Sequence, residues 1–200
     1  MTRIVAGVAG GRRLSVPPGR GTRPTADRAR EGLFATVLAI RGPLDGARVL
    51  DLYAGSGAVG LEALSRGASD VLLVESDARA ARVIQANIEA VRLPGARLVT
   101  GRAERVLDLG PGDHPPRDLV FADPPYATSG DEVQRVLTAL RDRGWLAPAA
   151  LVVVERGTRS GPVTWPAGYL PDRSRGYGEA TLWYGLAAGD GPAATSSTGG

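Results

Sequence analysis

Two short stretches of the chain hold residues whose types and order suit chemistry on a bound ligand. One is Val49-Leu-Asp-Leu-Tyr-Ala-Gly-Ser-Gly-Ala-Val-Gly60, an apolar run followed by a glycine loop. Gly55 and Gly57 permit a sharp turn and leave room for a ligand where a side chain would stand. The amides that open a following helix then face that ligand. The other is Asp123-Pro-Pro-Tyr126. Its two prolines, Pro124 and Pro125, stiffen the backbone and remove two amide donors, leaving carbonyl oxygens there able to accept. The exocyclic amine of a nucleobase is a poor nucleophile because its lone pair is delocalised into the ring. The Asp123 carboxylate and the Pro124 carbonyl can hold both N–H groups of such an amine and favour a pyramidal nitrogen. Tyr126 can stack on the base, a contact worth about 1–3 kcal/mol. The plainer alternative is a proline turn that closes a strand, with Tyr126 as a packing residue.

The glycine loop fits the dinucleotide fingerprint at Gly55, Gly57 and Gly60, with Glu75 near the expected distance downstream. Asp51 argues against a dinucleotide. A carboxylate at the strand end, just before the glycines, would repel a pyrophosphate and suit a cationic ligand. S-adenosylmethionine offers both an ammonium and a sulfonium. Glu75 has two acceptor oxygens in one plane for the two ribose hydroxyls of a nucleoside; a cap for the turn Glu75-Ser-Asp77 would use it as well. Gly101-Arg-Ala-Glu104 would bring a backbone amide to an adenine edge, and a helix cap explains Glu104 equally well. The candidate cofactor set is therefore Asp51, Tyr53, Gly55, Gly57, Glu75, Ser76, Arg102 and Ala103. His114, the one histidine, sits in a Pro/Gly loop and takes no role.

Strands must carry these residues to one rim. Residues 49–53, 71–75, 96–100, 118–122 and 151–155 read as buried strands, with helices over 57–66, 78–91, 103–109 and 131–143. Ala80, Val83, Ile84, Ile88 and Val91 share one helix face, as do Val133, Val136, Leu137 and Leu140. This alternation implies a parallel sheet with helices on both faces. Such sheets bind ligands outside the carboxyl ends of their strands. Thr181-Leu-Trp-Tyr-Gly-Leu186 is a late strand, too close to Gly176-Tyr-Gly178 for another crossover helix, so it should pair antiparallel. Upstream, residues 3–8 and 12–16 read as a hairpin about Gly10-Gly11. A helix follows from Thr25 or Asp27 to about Ile40, with Ala29, Leu33, Val37 and Ile40 on one face. The polar run from Arg23 to Glu31 is either its cap, with a local ion pair, or a clamp over the cofactor site. Residues 187–200 hold Ala, Gly, Ser, Thr and little else, and read as a disordered tail.

Two hundred residues suffice for one domain with a small extension. The chain has no cysteine, which excludes disulfides, zinc–thiolate clusters and a thiol nucleophile. No apolar run is long enough to span a membrane, and the N-terminus lacks the core of a signal peptide. A cytoplasmic monomer without a metal is expected. All 24 basic residues are arginine, and residues 1–30 carry seven of them against one acid, Asp27. A basic arm on a mildly acidic body suits an anionic partner engaged from one side; a solvated arginine-rich face would read the same. Arg12, Arg13, Arg20, Arg23 and Arg28, with Thr25 beside them, are the candidate contacts to nucleic acid.

Val120-Phe-Ala-Asp-Pro-Pro-Tyr126 is similar to the signature of amino-methyltransferases that act on bases. It is joined by Arg23-Pro-Thr25, Asp27-Arg28, Arg30-Glu31, Leu33-Phe34, Asp51-Leu52, Ala54-Gly-Ser-Gly57, Gly60-Leu-Glu-Ala-Leu-Ser-Arg-Gly-Ala68 and Glu75. Together these resemble the RsmD family of small-subunit (16S) rRNA guanine-N2 methyltransferases, over roughly residues 3–186. The resemblance implies an α/β, Rossmann-like class I methyltransferase with a mostly parallel seven-stranded sheet and a late antiparallel strand. It implies a hairpin extension over residues 1–24, a methyltransferase domain over 25–186, and the tail beyond. It also implies S-adenosylmethionine as donor and 16S rRNA, or the small ribosomal subunit particle, as partner. The sequence departs from the family at Val8-Ala-Gly-Gly11, where basic and aromatic residues commonly follow the glycine matching Gly7; Arg12 and Arg13 keep the later basic positions. Asp-Pro-Pro-Tyr would serve a DNA adenine-N6 methyltransferase equally well, but no separate target-recognition domain is evident. A non-catalytic RNA-binding assembly factor would not need the intact set Asp51, Gly55, Gly57, Glu75 and Asp123. An NAD-dependent enzyme lacks a candidate proton donor beside the loop.

Overall fold

Leucine and valine runs, apolar on both faces, build the centre of a seven-stranded sheet in the computed structural model, which describes residues 1–17 and 24–188. Arg20, Arg23, the Thr25 side chain and nearly all of the 187–200 tail lie outside the described residues. In chain order the elements are β1 (Thr2–Arg3), β2 (Arg13–Leu14), α1 (Pro24–Arg41), β3 (Arg48–Leu52), α2 (Ala58–Ser65), β4 (Asp70–Glu75) and α3 (Ala78–Val91). They continue with β5 (Ala96–Thr100), α4 (Ala103–Asp108), β6 (Arg117–Ala122), α5 (Gly130–Asp142), β7 (Leu146–Gly157), β8 (Tyr169–Tyr177) and β9 (Ala180–Ala187). The sheet order is β5-β4-β3-β6-β7-β9-β8. Strands β3 to β7 run parallel, while β9 and β8 pair antiparallel at one edge. The chain leaves β3 towards β4 and β5, then returns to place β6 on the other side of β3. The crevice between β3 and β6 is the switch point at which such sheets take ligands.

The pleat sorts the strand residues into two cores. Val49, Val71, Leu73, Leu119, Phe121, Leu151 and Val153 pack with α1, α2 and α3. Leu50, Leu52, Leu72, Val74, Val120, Ala122, Val152 and Val154 pack with α4 and α5. Period-two alternation on a two-sided sheet produces this division. Phe34 of α1 meets Phe121 edge-on, with ring centroids 5.7 Å apart. Helix starts follow their local chemistry: Asp77 caps α3 by accepting the Arg79 amide (2.7 Å), and Ser129 with Glu132 forms a reciprocal capping box at α5.

Two regions differ from the sequence expectation. The N-terminal strands are two residues each, Thr2–Arg3 and Arg13–Leu14, rather than 3–8 and 12–16. Ile4 and Gly11 still bond across the hairpin, Ile4 to the Arg12 carbonyl and Gly11 to that of Ile4 (both 2.9 Å), but four other intervening amides bond to α2 instead of to a ladder. Val5 and Ala6 donate to the two oxygens of Glu62 (2.6 and 2.9 Å), Val8 to the Ser65 carbonyl (2.8 Å) and Ala9 to Ser65 Oγ (2.9 Å). Gly7 has φ +84°, and a Cβ there would stand 1.8 Å from the Ser65 carbonyl oxygen, so only glycine fits the turn. The sheet also gains β8, whose exposed Leu-Pro-Asp-Arg-Ser-Arg-Gly run has no apolar alternation. It is an edge strand, with a register shift between Pro171 and Arg173, and proline and charge are common there.

Candidate active site

The glycine loop leaves β3 through Tyr53, whose φ of +60° is rare for a residue with a side chain. Its phenol donates to Glu104 Oε1 at the start of α4 (3.0 Å), and burial, then Glu104, make it hold its proton more tightly. Gly55 and Gly57 also have positive φ, +61° and +75°. Gly57 serves as N-cap of α2. A Cβ at Gly60 would stand 2.8 Å from Val71 Cγ1 and 3.1 Å from Asp51 Oδ2, so the first turn of α2 lies against the sheet.

That approach places Asp51 beneath the loop. The carboxylate is buried and accepts the Gly60 amide at 2.9 Å. Burial pushes its pKa up to about 7, aided by Asp123 and Glu75 and opposed by the Gly60 bond. Glu75, at the end of β4, accepts the Gly55 amide with one oxygen (2.8 Å) and the Asp77 amide with the other (2.8 Å). The capping role and the loop-bracing role are thus both real, and each oxygen retains a lone pair for a ligand. The Gly101 amide donates to the Glu75 carbonyl (2.9 Å) and the Ala54 amide to the Val74 carbonyl (3.0 Å), tying the three rim loops together.

Asp123 follows β6 directly, its amide 3.5 Å from the Leu52 carbonyl. Pro124 is buried among Tyr53, Val133, Val136 and Val154, while Asp123, Pro125 and Tyr126 are exposed. The Tyr126 ring lies over the Gly157 backbone, where a Cβ would come within 3.2 Å of it. Arg156 reaches back to donate to the Thr128 carbonyl (2.8 Å). The end of β7 therefore shapes the Asp-Pro-Pro-Tyr loop.

Other sequence candidates have more local roles. Ser76 is exposed on the rim. Arg102 caps α4 with its side chain largely exposed, 3.6 Å from Glu104. Ala103 is buried in the α4–α5 core, so its backbone is what it can offer. Arg12 donates to the Val91 carbonyl at the end of α3. Arg13 and Arg28 are exposed. In the Arg23–Glu31 run, Asp27 joins Thr2 Oγ1 (2.7 Å) and Arg30 (2.9 Å), a structural tie between the hairpin and α1.

Two residues escaped the sequence reading. Asn87 occupies the apolar face of α3, where it accepts the Ser15 amide (2.8 Å) and donates to the carbonyls of Ser15 (2.9 Å) and Ser56 (2.8 Å). It couples the N-terminal segment to the glycine loop. Glu155 stands at the rim beside Asp123, and burial, then Asp123, push its carboxyl up to about 7. It ends Leu151–Glu155 just as Glu75 ends Val71–Glu75, so the strand-end rule alone would have found it. No three metal-ligating side chains converge among the described residues, and no helix there is long and apolar enough to cross a membrane.

A family profile described as Conserved hypothetical protein 95 matches residues 2–185. The ribosomal RNA small subunit methyltransferase D of Escherichia coli (strain K12) is 37% identical over 177 residues, covering 88% of this chain and 85% of that protein. The solved structure of the putative methyltransferase yhhF from Escherichia coli aligns with a TM-score of 0.80 at 34% identity, covering 94% of this chain and 98% of the other. A putative methyltransferase complexed with SAH shares the fold at a TM-score of 0.65 and 14% identity, covering 82% of this chain and 50% of its own.

Proposed function

The chain belongs to the RsmD methyltransferase family, and from that premise we propose that it transfers a methyl group from S-adenosylmethionine to the N2 amine of a guanine in small-subunit rRNA. One observation carries the reading. The two strand ends that flank the switch point hold complementary halves of a transfer site, Asp51 with the glycine loop on β3 and Asp-Pro-Pro-Tyr on β6.

The chemistry of the first half suits the donor. The charges that act on buried Asp51 are Asp123 and Glu75, both of its own sign. A carboxylate so crowded is stabilised by a cation placed beside it. The ammonium and sulfonium of S-adenosylmethionine answer that need. Glu75, braced by two amides, offers its remaining lone pairs to ribose hydroxyls. When bound, the donor supplies an electrophilic methyl carbon on its sulfonium.

The second half acts on the base. Asp123 and the Pro124 carbonyl accept the two N–H groups of the amine and turn its lone pair towards the methyl. Pro124, buried against α5 and β7, fixes the height of that carbonyl. Tyr126 offers an exposed ring on which the base stacks. The contribution of the protein is positioning, and the target must leave its stack to enter, which favours a loop or bulge of the RNA.

Nucleoside mass spectrometry tests the proposal. The protein and S-adenosylmethionine are incubated with unmodified small-subunit particles and, separately, with duplex DNA. N2-methylguanosine from the particles alone is the expected product; N6-methyladenine from DNA would overturn the assignment. Asp123→Ala should lower kcat by about 100-fold or more, since the amine loses its orientation, while calorimetry finds donor affinity within about threefold of wild type. Full activity in that variant would remove Asp123 from the reaction.

A further inference from the structure

Asp-Pro-Pro-Tyr holds an exocyclic amine but does not by itself say which base carries it. The two candidates differ at the neighbouring ring nitrogen. Guanine presents N1–H beside its N2 amine, three donors in a row. Adenine presents an N1 lone pair beside its N6 amine. A site that selects guanine needs a third acceptor next to the pair formed by Asp123 and the Pro124 carbonyl.

Glu155 stands where that acceptor belongs. Strands β6 and β7 are parallel, with Phe121 opposite Val153 and Ala122 opposite Val154. The next residues, Asp123 and Glu155, therefore emerge level with one another on strands about 4.8 Å apart. Alternation puts them on one face as well. Leu151 and Val153 face the α1–α3 core, as does Phe121, and Glu155 and Asp123 continue those rows at the rim. On its other side Glu155 pairs with Leu182 of β9, which is buried in the same core.

Among the described residues, none supplies a partner for the charge of Glu155. It is half-buried, its carboxyl oxygens not sealed from solvent, and no described residue donates a hydrogen bond to it or forms an ion pair with it. Burial and the charge of Asp123 raise its proton affinity. A half-buried carboxylate without a protein partner is open to a donor from a ligand, so its place beside the catalytic loop suits a use in binding. The two residues after it already serve the loop, Arg156 through the Thr128 carbonyl and Gly157 beneath Tyr126.

We propose that Glu155 determines base specificity: its carboxylate accepts the ring N1–H of the guanine whose amine is held by Asp123 and the Pro124 carbonyl. The inference rests on the guanine-N2 reading above. It accounts for rejection of adenine, whose N1 lone pair would face a carboxylate and leave it unpaired, the arrangement that discriminates most strongly between similar ligands.

The experiment uses the full chain and small-subunit particles reconstituted with 2-aminopurine at the mapped target position. That base keeps the amine at C2 but carries a lone pair at N1. Wild type should modify it about 30-fold or more less efficiently than guanine in kcat/KM, the loss expected for a hydrogen bond to a charged group. Glu155→Gln can donate from its amide to that lone pair, so the preference for guanine should narrow to below about tenfold. Glu155→Ala should lose activity on guanine without gaining it on 2-aminopurine. Donor affinity, measured in parallel, should stay near wild type in both variants, and melting temperature should not fall, since each variant removes a carboxyl whose ionisation opposes folding. Equal use of both bases by wild type would overturn the inference. So would wild-type kcat/KM on guanine in Glu155→Ala, with N2-methylguanosine still the product; the functional reading would then stand without it. N6-methyladenosine from wild type would remove both.

Discussion

At Asp51 the backbone and the surrounding charges pull in opposite directions. The Gly60 amide at 2.9 Å favours the carboxylate, yet burial, Asp123 and Glu75 raise its pKa to about 7. In the unfolded chain an aspartate ionises near 3.9. The folded protein therefore retains a proton that the unfolded chain has released between about pH 4 and 7. Stability from this group is fully present below about pH 4, falls as pH rises through that window, and levels off above it. A three-unit shift corresponds to roughly 4 kcal/mol as an upper bound. Glu155 acts in the same direction. Asp118 is shifted down by its bidentate pair with Arg48, so its contribution is lost only as pH falls below the ordinary carboxylate range, outside this window. Urea denaturation of the ligand-free protein at pH 5 and pH 8 should show the decline, and Asp51→Asn should flatten it, leaving the part due to Glu155. Equal slopes in wild type and variant would mean that Asp51 titrates normally. The proposed donor reverses the sign, because its cations favour the ionised form. Its affinity should rise between pH 6 and 8, with net proton release seen by calorimetry in buffers of different ionisation enthalpy.

At the scale of elements, α2 organises both the loop and the N-terminal segment. Its Glu62 is wholly buried, where it accepts the Val5 and Ala6 amides and pairs with Arg66 (2.8 Å) and Arg30 (3.5 Å). Removing one partner of such a network strands the others in the interior, a cost of about 3–5 kcal/mol. Glu62→Ala should therefore lower stability by that order and speed amide exchange at Val5 and Ala6 well beyond that of the central strands. Unchanged exchange there would show that the segment is held by Ser65 alone. None of this was visible in the sequence. Hydrophobic period revealed α3, α5 and the central strands because the core sets one face of each helix and both faces of each strand. It missed β8, whose sequence is polar because an edge strand meets solvent, and it lengthened β1 and β2 because the amides beyond them, Val5 and Ala6 after β1 and Ser15 after β2, find side-chain partners 57, 56 and 72 residues away. In the site, Asp51, Glu75 and Asp123 were legible as carboxylates at strand ends beside motifs. Glu155 occupies an equivalent end without a motif. Asn87 was hidden because amphipathic patterning treats a polar residue between Ile84 and Val91 as noise, whereas its three hydrogen bonds explain its burial.

Across the whole molecule, the excess of arginine in residues 1–30 is less uniform in role than in sequence. Arg30 is buried, paired with Asp27 and Glu62. Arg3 lies 4.0 Å from Asp27, and Arg12 is committed to the Val91 carbonyl. Among the described residues of the arm, that leaves Arg13 and Arg28 exposed and without an ion pair. If the arm meets RNA, these two carry the phosphate contacts, and each contributes about 0.7–0.9 to the slope of log K against log salt. The double substitution Arg13→Ala, Arg28→Ala should reduce that slope by about 1.4–1.8 in filter-binding measurements with 16S rRNA between about 50 and 200 mM salt. Transfer chemistry on saturating substrate should be unaffected, because neither residue belongs to the site at the sheet rim. Arg12→Ala should do the reverse, lowering the melting temperature through the lost contact to α3 while keeping the slope. A double variant with the wild-type slope would take the N-terminal arm out of the RNA-binding face and shift attention to the arginines of the edge strand β8, where Arg173 and Arg175 are exposed.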